Sequence, residues 1–95
     1  MRHSITRFLR YLDVEKNASD LTIKSYREDL FTLAEYLEQV NRGKCPKPAE
    51  ITPLDLREYV VALSEAGYAT SSVSRKMASL RSFFKFGRRE GWVEA

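Results

Sequence analysis

The sequence predicts an all-α fold, a compact four-helix bundle, and three observations predict it. Four stretches repeat apolar residues at i, i+3, i+4 and i+7, the period of one helix face. No stretch alternates apolar with polar residues as a half-buried strand does. Helix-start residues, glycines and prolines punctuate the four stretches closely. The connections are therefore short, and each helix must bury its stripe against its neighbours.

The first helix is expected over residues 4–15, with Ser4 as its N-cap and Ile5, Phe8, Leu9 and Leu12 as its buried stripe. Lys16-Asn17-Ala18 interrupts the period, and Asn17 suits the left-handed conformation that ends many helices. The second helix, over 20–40, is announced by the Ser19 hydroxyl, with Asp20 at the positive end of the dipole. Ile23, Tyr26, Leu30, Leu33, Ala34 and Leu37 form its apolar stripe. The residues from Asn41 to Ala49 hold Gly43, Pro46 and Pro48 and read as a loop. Thr52-Pro53-Leu54-Asp55 then sets a cap hydroxyl, a proline at the first helical position and a carboxylate at the third. The third helix runs over 53–66 with Leu56, Tyr59, Val60 and Leu63 inward, and Gly67 ends it. The fourth is expected over 71–89, starting at Thr70 or Ser71, with Val73, Met77, Leu80, Phe84 and Gly87 as its stripe and Gly91 as its stop. Phe83 and Phe86 lie off that stripe and are read as packing on neighbouring elements. Trp92 is read as a hydrophobic plug.

At 95 residues the chain is one domain, residues 1–95, and its 43% hydrophobic share beside 31% charge argues against disorder. The longest apolar runs, such as Tyr59 to Leu63, are far below the roughly 20 residues a membrane span needs. No secretory signal is expected before the charged first helix, and the cytoplasm is the expected location. The single cysteine, Cys45, and the single histidine, His3, leave no intramolecular disulfide and no zinc site of the usual kind. The four scattered glycines form no phosphate loop, and the carboxylates show no pairing pattern. No catalytic residue, cofactor, metal or small-molecule substrate is expected.

The net charge of +3 conceals an asymmetry. Residues 1–27 carry +3, residues 28–65 carry −4, and residues 66–89 carry +6 with no acid at all. Such a basic segment points to a polyanionic partner. On the fourth helix the face opposite the expected stripe holds Ser71, Ser72, Arg75, Ala78, Ser79, Ser82 and Arg89, flanked by Lys76, Arg81, Lys85 and Arg88. Small residues admit a bulky surface, serines suit phosphates, and arginine reaches guanine edges. Arg75 is the expected base contact and Lys76 an expected phosphate contact. On the second helix, Thr22, Lys24, Ser25 and Arg27 crowd the first turns, where free N–H groups favour a phosphate. A solvated basic face is the alternative reading of both.

Three segments together resemble a known family. Ser19-Asp20-Leu21-Thr22-Ile23-Lys24-Ser25-Tyr26-Arg27-Glu28-Asp29-Leu30 resembles the "lSxxTlxsYrxDL" opening of the second helix in tyrosine recombinases of the Xer and phage-integrase type. Ile51-Thr52-Pro53-Leu54-Asp55-Leu56 is similar to their third-helix start. Ser74-Arg75-Lys76-Met77-Ala78-Ser79-Leu80-Arg81-Ser82-Phe83-Phe84, followed by Gly91-Trp92, is similar to their fourth helix. The resemblance implies an N-terminal core-binding, SAM-like domain that clamps a double-stranded DNA half-site together with a catalytic domain. It implies DNA contacts from Thr22, Lys24, Ser25, Arg27, Ser71, Ser72, Arg75, Lys76, Ser79 and Arg81. It also implies that the first helix contacts other recombinase subunits in a synaptic tetramer. The family's catalytic residues, including a His-x-x-Arg motif, have no match here, so the chain is expected to be inert as an enzyme, its catalytic domain missing. The family's usual fourth-helix cap serine is replaced by Ala69. Two other readings stay open, a helical protein–protein interaction module with an acidic partner and a helix-turn-helix regulator built on the joint at Ala66-Gly67-Tyr68.

Overall fold

A computed structural model describes residues 1–93. In chain order the helices are α1 (Arg2–Val14), α2 (Asp20–Val40), α3 (Pro53–Glu65) and α4 (Thr70–Glu90), with a 3-10 turn at Pro48–Glu50. No strand occurs among the described residues. The chain divides into two units, Met1–Cys45 and Pro46–Ala95. Glu94 and Ala95 lie outside the described residues.

In the first unit α1 buries Ile5, Phe8, Leu9 and Leu12, the stripe its period predicts. It starts two residues earlier than expected. Met1 is the N-cap and makes no side-chain bond, so Ser4 lies inside the helix rather than capping it. Propensity carries the helix past the serine, because Arg2 and Met1 pose no obstacle to helical backbone. At the other end Asn17 takes a left-handed φ of 50°, and the Ala18 N–H donates to the Leu12 carbonyl at 2.9 Å. The chain is thereby turned into Ser19, whose hydroxyl accepts from the Thr22 N–H at 3.2 Å and starts α2.

α1 packs against α2. The Phe8 ring meets Tyr26 edge-on, with centroids 5.5 Å apart, and lies 6.2 Å from Tyr11. Near the start of α1, Arg2 sits 5.4 Å over the Phe31 ring, and its Nε donates to Glu38 Oε1 at 2.6 Å. The hydrogen bond from Arg2 is the main cause holding the Glu38 carboxyl below its ordinary value of 4.5. A carboxyl harder to protonate when folded contributes stability above 4.5, and that contribution is lost as pH falls through its lower folded value. The pair is open to solvent, so the contribution is small. Arg2→Gln is expected to return the Glu38 titration midpoint, followed by NMR against pH, to the ordinary glutamate range. An unchanged midpoint would mean that the pair does not form in solution.

α2 also buries Asp29, 1% exposed, among its leucines. Its polarity alone would place it on the solvent face. Apolar periodicity assigns polar residues outward by default, and Asp29 falls on the buried side of the turn.

The second unit opens on the 3-10 turn, where the Glu50 carboxylate accepts from the Lys47 N–H at 2.7 Å. The expected loop gave no sign of that turn. Next, Thr52 Oγ1 accepts from the Asp55 N–H at 3.1 Å while Asp55 accepts from the Thr52 N–H at 2.8 Å, a reciprocal cap. Thr52→Ala is expected to lower unfolding stability by about 1 kcal/mol, measured by urea denaturation. A change within error would show that Pro53 alone suffices to start α3.

Tyr59 and Leu63 are buried on α3, and α3 packs against α4. Gly67, at φ 91°, turns the chain between them. α4 starts at Thr70 with Ala69 as N-cap and no side-chain cap bond. Thr70 is one of the two starts expected for this helix. Gly91 ends α4 in the left-handed conformation, φ 80°, where a Cβ is disfavoured.

The buried face of α4 departs most from expectation. Lys76, Ser79, Leu80, Phe83, Phe86 and Gly87 are buried, whereas Val73, Met77 and Phe84 are only half-buried. The stripe is rotated by about 80° from the expected one at 100° per residue. The two aromatic side chains excluded from the expected stripe cause this. Phe83 lies 6.1 Å from Trp92 and Phe86 5.1 Å from it, centroid to centroid, and the Trp92 N–H donates to the Gly87 carbonyl at 2.8 Å. Trp92 therefore packs on this face as expected of a plug, and Phe83 and Phe86 are core residues.

Candidate nucleic-acid interface

Rotation of α4 changes which side chains face water. Ser71, Ser74, Arg75, Ala78, Arg81, Lys85, Arg88 and Arg89 are exposed, and Ser72 is half-buried. No acid occurs in α4 before Glu90. Lys76 and Ser79, expected outward, are 4% and 7% exposed. The Lys76 ammonium lies 5.4 Å from the Tyr68 ring centroid, so its charge faces an aromatic ring within its own unit. Both side chains are packed within the second unit rather than exposed. Of the six α4 candidates, Ser71, Arg75 and Arg81 are exposed, Ser72 partly so, and two are corrected to buried positions.

Ser74, together with Lys85 and Arg88, which were expected only to flank the outward face, completes the exposed basic face. The signal that finds them is the aromatic pair at 83 and 86. Placing that pair inward sets Arg81, Lys85 and Arg88 outward at i, i+4 and i+7. Arg89 is tied down locally, 5.7 Å over Phe86 and 3.5 Å from the Glu90 carboxylate.

The candidates on α2 do not form one cluster. Thr22, Lys24 and Arg27 are exposed and Ser25 is half-buried. By helical geometry Thr22 and Ser25 share one side, while Lys24 and Arg27 lie together on another. Thr22 belongs to the helix cap, since its N–H donates to Ser19 and its hydroxyl accepts from Ser19 at 2.9 Å. Arg27 lines an open groove between α1 and α2 with Arg10, Asp13 and Asp20. Its charge therefore stands among carboxylates as well as facing solvent.

A second groove, about 940 Å³, lies between α4 and the segment from the 3-10 turn into α3. Ile51, Leu56, Met77, Leu80, Phe84 and Val93 supply its apolar surface, and Arg81, Lys85 and Arg88 line it as well. Among the described residues no carboxylate lines this groove. The half-exposed state of Met77 and Phe84 follows, because they line an open groove instead of a closed core.

Among the described residues no group of three or more His, Cys, Asp or Glu is placed to hold a metal ion. Among them, too, no helix is long and apolar enough to cross a membrane.

Comparison with known proteins gives a coherent result. A family model described as the phage integrase N-terminal SAM-like domain matches residues 5–91. The chain is 42% identical over 90 residues to the tyrosine recombinase XerC of Oceanobacillus iheyensis, covering 95% of this chain and 28% of that protein. It is also 42% identical over 89 residues to XerC of Halalkalibacterium halodurans, covering 94% and 28%. To the tyrosine recombinase XerD of Chlorobaculum tepidum it is 36% identical over 85 residues, covering 90% and 27%. The chain thus spans little more than a quarter of the length of these relatives. No solved structure gives a significant match.

Proposed function

The chain belongs to the phage integrase N-terminal SAM-like domain family, and from that premise we propose that it is the DNA-binding, core-binding domain of a site-specific tyrosine recombinase. The observation that carries the reading is the acid-free exposed face of α4, with Arg75, Arg81, Lys85 and Arg88 in one helix. A helix surface in plain solvent usually intersperses acids with bases in i,i+4 pairs. A surface that meets phosphates does not.

In this reading α4 lies against the DNA. Arg81 and Lys85 neutralise phosphates, Ser71 and Ser72 donate to phosphate oxygens at the helix start, and Arg75 reaches a base edge. The first turns of α2 add Thr22 and Ser25 on one side and Lys24 and Arg27 on another. Lys76 and Ser79 hold α4 in place instead of contacting the nucleic acid. The relatives extend well beyond the matched stretch, so strand cleavage and joining are proposed to belong to other residues. The clamp on a half-site and the assembly of subunits are proposed on the same footing. Work on chromosomal or phage DNA would place the protein in the cytoplasm.

The test is duplex binding followed by fluorescence anisotropy at two salt concentrations. Phosphates neutralised by Lys24, Arg27, Arg81 and Lys85, one each, predict a roughly hundredfold loss of affinity for a fourfold rise in salt. Absence of binding at low salt, or binding indifferent to salt, would contradict the reading.

A further inference from the structure

α3 carries two unlike surfaces on its opposite sides. Leu56 lines the apolar groove. Leu54, Glu58, Val61 and Glu65 are all exposed, and at 100° per residue they fall within a stripe about 60° wide. Leu56 lies about 140–180° round the helix from every member of that stripe. The stripe is an acidic ridge with two apolar side chains on it, Leu54 at 59% and Val61 at 54% exposure.

We propose that the ridge of one copy of this chain docks into the groove of a second copy. The two surfaces are complementary in both polarity and charge. Leu54 and Val61 offer apolar groups to a groove floored by Met77, Leu80 and Phe84. Glu58 and Glu65 offer carboxylates to a groove whose described lining holds three bases and no acid. The spacing agrees as well. Seven residues separate the two glutamates, and seven separate Arg81 from Arg88, about 10.5 Å along each helix. When the two helices run side by side, each glutamate meets an arginine, with Lys85 between them.

A single exposed leucine or valine requires no partner. Two of them aligned with two acids, matched by a basic apolar groove on the same chain, are a different case. Since ridge and groove lie on opposite sides of α3, the contact is heterologous. Copies add head to tail, and they close into a ring only where the rotation between them permits. The contact is separate from the α1 contact that the family resemblance implies. It shares Arg81, Lys85 and Arg88 with the proposed DNA face, so DNA and a second copy compete for those residues.

Sedimentation equilibrium on the chain, without DNA and at low salt, tests the proposal. The mean mass is expected to rise with concentration and to pass the dimer value. Lys85→Glu with Arg88→Glu is expected to weaken association at least about tenfold, and Glu58→Lys with Glu65→Lys to do the same. Mixing the two variants, or combining all four changes in one chain, is expected to restore association to within about threefold of the parent. A chain monomeric up to about millimolar concentration would overturn the proposal. So would saturation at a dimer, or loss of association without rescue by the paired charge reversal. The ridge variant also separates this proposal from the DNA reading. Glu58→Lys with Glu65→Lys removes self-association while leaving the salt slope of duplex binding no lower than in the parent.

Discussion

Replacing Phe83 by alanine is expected to cost about 3–5 kcal/mol of folding stability, among the largest losses expected of a single substitution here. Phe83 is 0% exposed, stands 5.4 Å from Phe84 in an edge contact, and lies against Trp92. Truncation removes the ring's burial and leaves a void that neighbouring aromatic groups fill poorly, since cores pack at crystal-like density. Domains of this size have a total stability on the order of 5–15 kcal/mol, so a large fraction is lost. The neighbouring Phe84→Ala is the control. Phe84 is half-buried beside an open groove, so its truncation exposes no closed void and should cost clearly less. Urea denaturation of both variants decides the point. If Phe84→Ala is the more damaging of the two, the orientation of α4 described above is wrong.

The second large effect concerns binding. Arg75→Ala is expected to weaken duplex binding by about 1–3 kcal/mol and to relax sequence preference at one position. Arg81→Ala should weaken binding on all sequences alike and reduce the salt slope by about one. Lys76→Met should leave the salt slope as it is in the parent, because its ammonium faces Tyr68 and not solvent. Competition binding over a panel of duplexes at several salt concentrations measures all three. Equal losses from Arg75→Ala on every duplex would make Arg75 a phosphate contact. A flattened slope in Lys76→Met would mean that its side chain reaches the DNA after all.

The order of the helices and the starts of α2 and α3 were legible because cap chemistry is local. Ser19 and the Thr52–Asp55 pair act through hydrogen bonds to backbone three residues away, and nothing distant can alter that spacing. The start of α1 is misread, because Ser4 is expected to cap it and the helix begins at Arg2 behind Met1 without a side-chain cap, whereas α4 begins at Thr70, one of its two expected starts. The family resemblance was also legible, since three segments in order match a family model across residues 5–91. The facing of α4 was not. Val73, Met77 and Phe84 continue the regular apolar period, but Met77 and Phe84 line an open groove while Phe83 and Phe86 meet Trp92. Periodicity counts apolar residues and cannot rank two overlapping stripes by what each will touch. The same limit hid the buried Asp29, Lys76 and Ser79, which polarity alone places outside. Within the candidate interface, Arg75 and Arg81 hold their expected exposure, whereas Lys85 and Arg88, expected only to flank the outward face, are exposed on it once α4 is rotated.

The most direct measurement of the central claim is an amide chemical-shift titration of the chain with a short duplex at low salt, repeated at higher salt. The account predicts shifts confined to Thr22–Arg27 and to α4 from Ser71 through Arg88, weakening as salt rises. Absent shifts, or shifts clustered on α1, would contradict DNA binding by this chain.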